Sequence, residues 1–303
     1  MMQRHDRLDS FAVGLMIFLC AIWGLNQIAA KVADASFSPL LQGGLRSAIS
    51  AVLLWGWSRA RRQPMFRRDG SLWPGLLAGL LFAAEFACIF AGLNFTTASR
   101  GVVFVYTSPI VVAIGLHWLV PAERLGRWQA VGLVCSFAGV VVAFQETLAL
   151  PVGRQWLGDC LLLAGGALWG ATTVVMRASR LSTIPAAKTL FYQLGVSAVA
   201  LLLASFAVGE PGLLHPTPLG WALLAWQGVA ISFASYLAWF WLVLHYPATR
   251  LSSFTFLAPV FGTAAGVVLL GEPLSPQLVA AAALVALGVW MVNRRGPAKP
   301  ARR

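Results

Sequence analysis

Charged residues are scarce in this chain of 303 residues and make up only 11% of the sequence, against the roughly 25% that soluble domains carry. Hydrophobic residues make up 59%. With so few charges, most helices of a soluble fold would have no polar face, which excludes an ordinary soluble protein. The apolar residues instead form repeated runs of 18 or more, each long enough to cross about 30 Å of hydrocarbon as a helix.

The sequence also lacks the motifs of several function classes. It has no Walker A sequence, which argues against ATP hydrolysis, and neither GxSxG nor HExxH. The four cysteines lie singly within apolar runs and the four histidines lie near the ends of these runs, so we expect no disulfide, no metal and no cofactor. A membrane-embedded enzyme and a channel are the alternatives to a transporter. An enzyme would need a convergent set of acid and base residues, and a channel would need a ring of like charges. The sequence shows neither feature.

The apolar segments are continuous, without the alternation of barrel strands, and this predicts membrane helices. The first segment follows Arg4 and Arg7 as in a signal peptide, but it lacks a small-residue cleavage site after a short apolar stretch. We therefore expect an uncleaved first helix. Ten spans are predicted, at 10–32, 40–58, 72–93, 99–120, 126–144, 156–177, 185–208, 217–244, 250–270 and 275–293.

The net charge of +12 is by itself typical of nucleic-acid binding. The basic residues, however, lie in short segments between the apolar runs, as the positive-inside rule predicts for cytoplasmic loops. With the amino terminus inside, the 22 Lys and Arg residues all fall in inside segments except Lys31, Arg46, Arg100 and Arg154. This predicts both termini in the cytoplasm of a bacterial-type inner membrane, with the lipid bilayer and not nucleic acid as a partner.

The two halves of the chain resemble each other. Trp23 and Gly24 correspond to Trp169 and Gly170, 146 residues later. Other pairs, 146 to 150 residues apart, are Lys31 with Arg177, Phe104 with Phe254, Pro109 with Pro259 and Glu123 with Glu272. We expect repeats at 1–148 and 149–296 and a basic tail at 297–303. Because five spans is an odd number, the second repeat is inverted, and a substrate site is expected between the repeats. The predicted fold class is all-α integral membrane, with ten transmembrane helices as two inverted five-helix repeats.

The paired Trp-Gly motifs, the prolines of the fourth and ninth spans and the Gly-Glu-Pro sequence at 271–273 resemble the drug/metabolite transporter superfamily, EamA type. The resemblance covers about residues 10–293 and implies a ten-helix exporter of small metabolites, often amino acids. The tryptophan-rich composition is most similar to YddG-like exporters of aromatic and neutral amino acids. Other metabolites and drugs are the alternative. The first repeat reads Ala122-Glu123-Arg124 where the second reads Gly-Glu-Pro, so the resemblance assigns that loop no special role.

Glu85 lies deep in the third predicted span, where a charge costs about 3 kcal/mol and needs a cavity, a partner or a proton. Arg46 in the second span lies at a similar depth, roughly 9–12 Å from the outer end. Two interpretations stay open. In the first, Glu85 is functional and binds a substrate amine or a coupling proton. In the second, Glu85 forms a structural ion pair with Arg46.

Repeat-related aromatic residues are candidates for the walls of a central pocket, where flat rings cover the apolar part of a substrate. The alternative is helix packing or an interfacial belt. Polar residues one turn after the Trp-Gly motifs are candidates for a carboxylate or amine, or for hydrogen bonds between helices. The aromatic candidates are Trp23, Phe86, Tyr106, Trp169, Tyr236 and Phe256, and the polar ones are Asn26, Gln27, Thr172 and Thr173.

Pro109 and Pro259 occupy equivalent mid-span positions. A proline inside a helix removes a backbone hydrogen bond and kinks the helix, so we expect two repeat-related hinges, with a static kink as the alternative. Taken together, the sequence and the family resemblance predict a secondary transporter that exports aromatic and neutral amino acids by alternating access, the direction of transport being implied by the resemblance alone. The oligomeric state stays open, with a monomer among the alternatives. The protein is not expected to be an enzyme.

Overall fold

The computed structural model describes residues 5, 7–148, 150–270 and 276–294. The Gly-Glu-Pro sequence at 271–273 and the predicted tail at 297–303 lie outside these residues. In the described part the only β-structure is one bridge between Phe37 and Leu213, and the all-α prediction is confirmed. The helices are α1 Ser10–Ala33, α2 Pro39–Ala60, α3 Leu72–Leu93, α4a Ala98–Val105, α4b Ser108–Leu119, α5 Arg127–Ala143, α6 Gln155–Ala178, α7 Ala186–Ala207, α8 Pro218–His245, α9a Ala248–Phe254, α9b Leu257–Leu270 and α10 Pro276–Asn293.

These helices match the ten predicted spans, each within two residues of the predicted ends. Eight of the spans are long and apolar enough to cross a membrane. α5 is a shorter apolar helix, and α2 has 22 residues but carries more polar side chains, including the buried Arg46. The chain is therefore a multi-span helical membrane protein. The division at residues 148 and 149 stays a prediction.

The fourth and ninth spans are broken near their middle. α4a ends before Tyr106 and α9a ends before Thr255, at nearly equivalent places in the two halves. At each break a threonine hydroxyl adds a hydrogen bond to a carbonyl of the preceding turn: Thr107 Oγ1 donates to Phe104 O at 2.7 Å and Thr255 Oγ1 to Ser252 O at 2.8 Å. Such local bonds are needed because the hydrocarbon offers no partner to an open carbonyl.

The two prolines lie just after these breaks. Pro109 is in the first turn of α4b, and Pro259 is the third residue of α9b. In the first turn a proline costs no hydrogen bond, because that N–H has no helical partner in any case. The expectation of a kinked continuous helix is thus corrected to two separate helical pieces. The hinge itself stays a prediction.

Glycine allows close approach of helices at the Trp-Gly motifs. A Cβ on Gly24 would lie 2.6 Å from Gly262 N and 2.7 Å from Ala258 O, so α1 and α9b touch through their backbones. At the equivalent Gly170 of α6 a Cβ would lie 2.7 Å from Val111 of α4b. Both glycines are therefore packing positions, whatever the neighbouring tryptophans do.

The main helix contacts join one half of the chain to the other. α1 packs on α9b and α6 on α4b, α3 packs on α6 and α1 on α8, and α2 packs on α7 and α5 on α10. Exchanging the halves turns each contact into its counterpart or into itself. This is the pattern that a two-fold relation between the halves produces.

A buried lysine anchors the loop between α2 and α3 and gives a prediction for acid stability. Lys188 Nζ donates to Asp69 Oδ2 and to Arg67 O, each at 2.8 Å, and Lys188 is 1% exposed. The hydrogen bonds from Lys188 and then from Ser71 lower the pKa of Asp69 to about 2. The ionised carboxylate therefore stabilises the fold above the unfolded pKa of about 3.9, and this contribution is lost as pH falls through 2.

We predict that Asp69→Asn lowers the free energy of unfolding by about 1 kcal/mol near neutral pH, because Lys188 loses its carboxylate partner. The loss stays this small since the loop carboxylate is partly exposed. The difference from the parent protein should stay constant down to about pH 4.5 and shrink between pH 4 and 2. Chemical unfolding of detergent-solubilised protein across this range measures it. The exposed Glu146 supplies the control variant, Glu146→Gln. A difference that is the same at pH 7 and pH 2.5 would contradict the assignment.

Candidate functional site

A cavity of about 670 Å³ lies between the two halves of the chain. Residues of α1, α2, α3 and α4a line it from the first half, and residues of α6, α7, α8 and α9b from the second. It reaches the exposed residues Lys31 and Asp34 at the end of α1, so it opens at the face opposite the amino terminus. We call this the outer face and the other the inner face. The volume suits a small metabolite.

Aromatic rings form much of the cavity wall, as the sequence predicts. Trp23 packs edge-to-face on Tyr236 with ring centroids 6.4 Å apart. Across the cavity Trp169 makes the same kind of contact with Tyr106 at 5.8 Å. Phe86 belongs to a further group of rings and lies 4.9 Å from Phe82. These rings hold one another in place and present apolar surface to the cavity.

The predicted polar residues also reach the cavity: Asn26, Gln27, Thr172 and Thr173 all line it. Gln27 Nε2 donates to the Tyr106 hydroxyl at 3.4 Å, which links α1 to the break in the fourth span. Trp23 Nε1 donates to Ser235 Oγ at 2.9 Å. Thr172 Oγ1 donates to Leu168 O of its own helix at 2.9 Å and is to that extent satisfied locally. Substrate contact by these residues stays a prediction.

Phe256 is the one predicted aromatic residue that does not line the cavity. It is fully buried, and its ring lies 6.4 Å from that of Phe137 in α5. The repeat offset pairs Phe256 with Tyr106, but the ring of Phe256 packs towards α5 and that of Tyr106 lines the cavity. We correct its placement from cavity wall to helix packing.

Arg46 and Glu85 both line the cavity, but the ion pair considered for them is not formed. The ion pairs of the described residues are Arg100–Asp159, Arg177–Glu123 and Lys188–Asp69. Arg46 instead lies over the ring of Phe86, with the guanidinium carbon 4.2 Å from the centroid. Their similar depth stays a prediction, and the two side chains form no ion pair.

A cluster of buried polar residues lies at the inner end of α6, on the side opposite the opening of the cavity. Arg177 at the end of α6 forms an ion pair with Glu123. The second oxygen of Glu123 accepts hydrogen bonds from the backbone N–H of Thr249, at 3.1 Å, and from its hydroxyl. We call Glu123, Arg177 and Thr249 the inner cluster. It ties α6 and α9a to the loop after α4b, the loop to which the resemblance assigned no special role.

A second buried ion pair joins the fourth and sixth spans near the outer face. Arg100 Nε donates to Asp159 Oδ1 at 3.0 Å, and Thr96 donates to the same oxygen at 3.1 Å. The fourth span and α6 are thus joined near the outer face by Arg100 and Asp159 and near the inner face, through the loop after α4b, by Glu123 and Arg177. The sequence analysis singled out neither pair, because each joins residues more than 50 positions apart.

α8 contains a π-helical segment, Gln227–Ser235, which the sequence analysis did not anticipate. Gln227 and Ile231 of this segment line the cavity, and Gln227 accepts a hydrogen bond from Gln42 at 3.1 Å. A π-helical turn widens the backbone spiral and often occurs at functional sites.

The sequence pattern of one protein family, described as the EamA-like transporter family, matches residues 10–145 and again 156–294. The chain belongs to this family. The match in two copies fits the similarity of the two halves, and it makes the protein a membrane transporter. Its cavity between the halves is accordingly the candidate substrate site.

Curated relatives of the transporter cover most of its length. An uncharacterized transporter of Bacillus subtilis (strain 168), YvbV, is 27% identical over 95% of this chain and 93% of its own. A probable amino-acid metabolite efflux pump of Salmonella typhimurium is 26% identical over 94% and 95%. One solved crystal structure matches with a TM-score of 0.81 and 20% identity, over 93% of this chain and 98% of the other. That likeness shows the fold alone, whereas the relatives point to transport and not catalysis.

Proposed function

We propose that the protein is a secondary transporter that exports aromatic and neutral amino acids across the inner membrane by alternating access. The observation that carries the proposal is the cavity between the halves, with aromatic walls and two buried side chains of opposite charge. The aromatic rings suit the apolar side chain of an amino acid, and the two charges suit its carboxylate and ammonium groups. The Salmonella relative named as an efflux pump supports the same substrate class and direction.

Alternating access is supported by the difference between the two faces. The cavity reaches exposed residues at the outer face, while the buried inner cluster closes the other side. In each state of an alternating-access transporter the substrate site is open to one side of the membrane only. The basic residues between spans support placing the inner face in the cytoplasm, with both termini on that side.

The repeat-related tryptophans provide the first test of this function. We predict that Trp23→Ala and Trp169→Ala each weaken binding of L-phenylalanine about 10-fold, because each removes a ring that covers the substrate. Competition against labelled L-phenylalanine in detergent measures the affinity. Trp118→Ala is the matched control, because this tryptophan is 79% exposed. Trp23→Phe keeps a ring but not the bond to Ser235, and should fall between the parent and Trp23→Ala.

The function is then tested with the parent protein in proteoliposomes, by counterflow of a panel of labelled amino acids. Exchange of phenylalanine, tryptophan or leucine, reduced in the two alanine variants but not in Trp118→Ala, is the expected result. Counterflow of none of these amino acids would overturn the proposed substrate class. Normal transport by both alanine variants would reduce the Trp-Gly motifs to packing elements.

A further inference from the structure

Two buried charges of opposite sign face the cavity from neighbouring helices. Arg46 of α2 is 6% exposed and Glu85 of α3 is 5% exposed, and both line the cavity. Arg46 lies over the ring of Phe86, the residue next to Glu85 in the sequence, yet neither Arg46 nor Glu85 belongs to an ion pair in the described part of the chain. Burying two charges side by side without pairing them is costly, so a role beyond packing is indicated.

The atoms left without partners define what could bind. Arg46 Nε and Nη2 and Glu85 Oε2 make no hydrogen bond within the residues that the structure describes. Nε and Nη2 lie on one edge of the guanidinium, which is the edge that holds a carboxylate by two parallel bonds. The free oxygen of Glu85 is an acceptor and suits an ammonium group.

The surroundings hold the Arg46 guanidinium in place and add further unused polar groups. The ring of Phe86 lies 4.2 Å below the guanidinium and limits its rotation. Gln193 Oε1 and Gln227 Nε2 also line the cavity, and neither has a hydrogen-bond partner among the described residues. The first is an acceptor and the second a donor. The unused groups therefore comprise donors for an anion and acceptors for a cation.

We propose that Arg46 and Glu85 form a subsite for a zwitterion, in which Arg46 binds the α-carboxylate of a free amino acid and Glu85 binds its α-ammonium group. Gln227 and Gln193 supply further bonds to the carboxylate and the ammonium group. The apolar side chain then extends towards Trp23 and Tyr236. This inference rests on the proposed function for the ligand class. It adds the prediction that both charged groups of the ligand are required.

Ligand analogues test the subsite in the unmodified protein. The probes are L-phenylalanine, phenethylamine, which lacks the carboxylate, and 3-phenylpropanoate, which lacks the amine. Competition against labelled L-phenylalanine gives the three affinities. We expect both analogues to bind about 10- to 100-fold more weakly, because each leaves a buried charge unpaired. Equal affinities for all three compounds would overturn the subsite.

Two variants assign the charges to their partners. Arg46→Gln should weaken L-phenylalanine binding by about the factor seen for phenethylamine, and should abolish the discrimination between these two compounds. The Arg46→Gln variant should still bind L-phenylalanine more tightly than 3-phenylpropanoate. Glu85→Gln should no longer distinguish L-phenylalanine from 3-phenylpropanoate, but should still discriminate against phenethylamine. Such a crossed pattern cannot arise from partial unfolding. Arg154→Gln and Glu146→Gln, at exposed positions, are the controls. Unchanged discrimination in both cavity variants would overturn the assignment.

The outcome separates the subsite from the proposed function. If amino acids are transported but the analogues bind equally well, the subsite is wrong and the function stands. If the crossed pattern appears but counterflow is absent, the subsite stands and transport of amino acids is wrong. If no amino acid binds, both are wrong. If Arg46→Gln does not fold, the analogue series on the parent protein still decides.

Discussion

Replacing Glu123 with Gln is expected to cost about 3–5 kcal/mol of stability, because Arg177 then stays buried without its carboxylate. For a chain of this size this corresponds to a fall in Tm of roughly 6–15 °C. Glu123 joins Arg177 of α6 to Thr249 at the start of α9a. Its neutralisation should therefore weaken the whole fold and, in particular, the closed inner face.

Opening of the inner face has its own measurement. Cys20 of α1 is fully buried, and its thiol lies 3.2 Å from Phe254 O of α9a. In a variant that keeps Cys20 as the single cysteine, Glu123→Gln should raise the rate of maleimide labelling of this thiol at least about 10-fold, since an equilibrium shift of 1.4 kcal/mol already gives that factor. Thermal unfolding and labelling thus report the two consequences separately.

A double variant separates the loss of the pair from a general defect. Glu123→Gln with Arg177→Met removes both charges and should regain part of the lost stability, because no buried charge is left unpaired. Glu146→Gln, which removes an exposed carboxylate from a loop on the other face, should leave Tm and Cys20 labelling unchanged. Glu123→Gln with normal Tm and unreactive Cys20 would show that the inner cluster does not hold the face closed.

Gly24→Ala is expected to have the second largest effect, a loss of about 1–3 kcal/mol through overpacking. The added Cβ would lie 2.6 Å from Gly262 N and 2.7 Å from Ala258 O. Both atoms belong to the backbone of α9b and cannot rotate away, so α1 and α9b must separate. Thermal unfolding of the purified protein measures the loss, and L-phenylalanine counterflow measures its consequence for transport.

The same helix offers the matched control. A Cβ on Gly14 of α1 would meet nothing within 4 Å, so Gly14→Ala should be neutral or slightly stabilising, because alanine favours the helix by about 1 kcal/mol over glycine. Gly262→Ala should cost less than Gly24→Ala, since its nearest atom would be 3.4 Å away. Equal stability of Gly24→Ala and Gly14→Ala would mean that the helices separate without penalty.

The positions of the helices along the chain were predictable because the length of an apolar run reports directly on the thickness of the bilayer. The depth of a residue in its span was predictable for the same reason, at 1.5 Å per residue. Arg46 and Glu85 are predicted to lie at similar depth in this way, and both line the cavity. The depth of a residue does not give the rotation of its helix about the helix axis. This rotation decides that the two side chains share a cavity without forming an ion pair.

Repeat equivalence located much of the cavity wall but not its local detail. Trp23 and Trp169 both reach the cavity, as their shared motif indicates. Tyr106 and Phe256 occupy equivalent positions in the sequence, but only Tyr106 lines the cavity, whereas Phe256 packs against Phe137. The π-helical segment of α8 has no sequence signal that we recognise.

By itself, the sequence determined that this is a multi-span helical membrane protein with two similar halves and a resemblance to transporters, and it predicted ten spans. Composition and periodicity suffice for this, since they reflect the solvent that each residue meets. Only the tertiary structure decided that Glu123 contacts Arg177 and Thr249 and that Arg46 and Glu85 face one cavity. The residues brought together in this way lie 39 to 126 positions apart in the sequence, and their placement depends on how the helices pack and not on any local pattern.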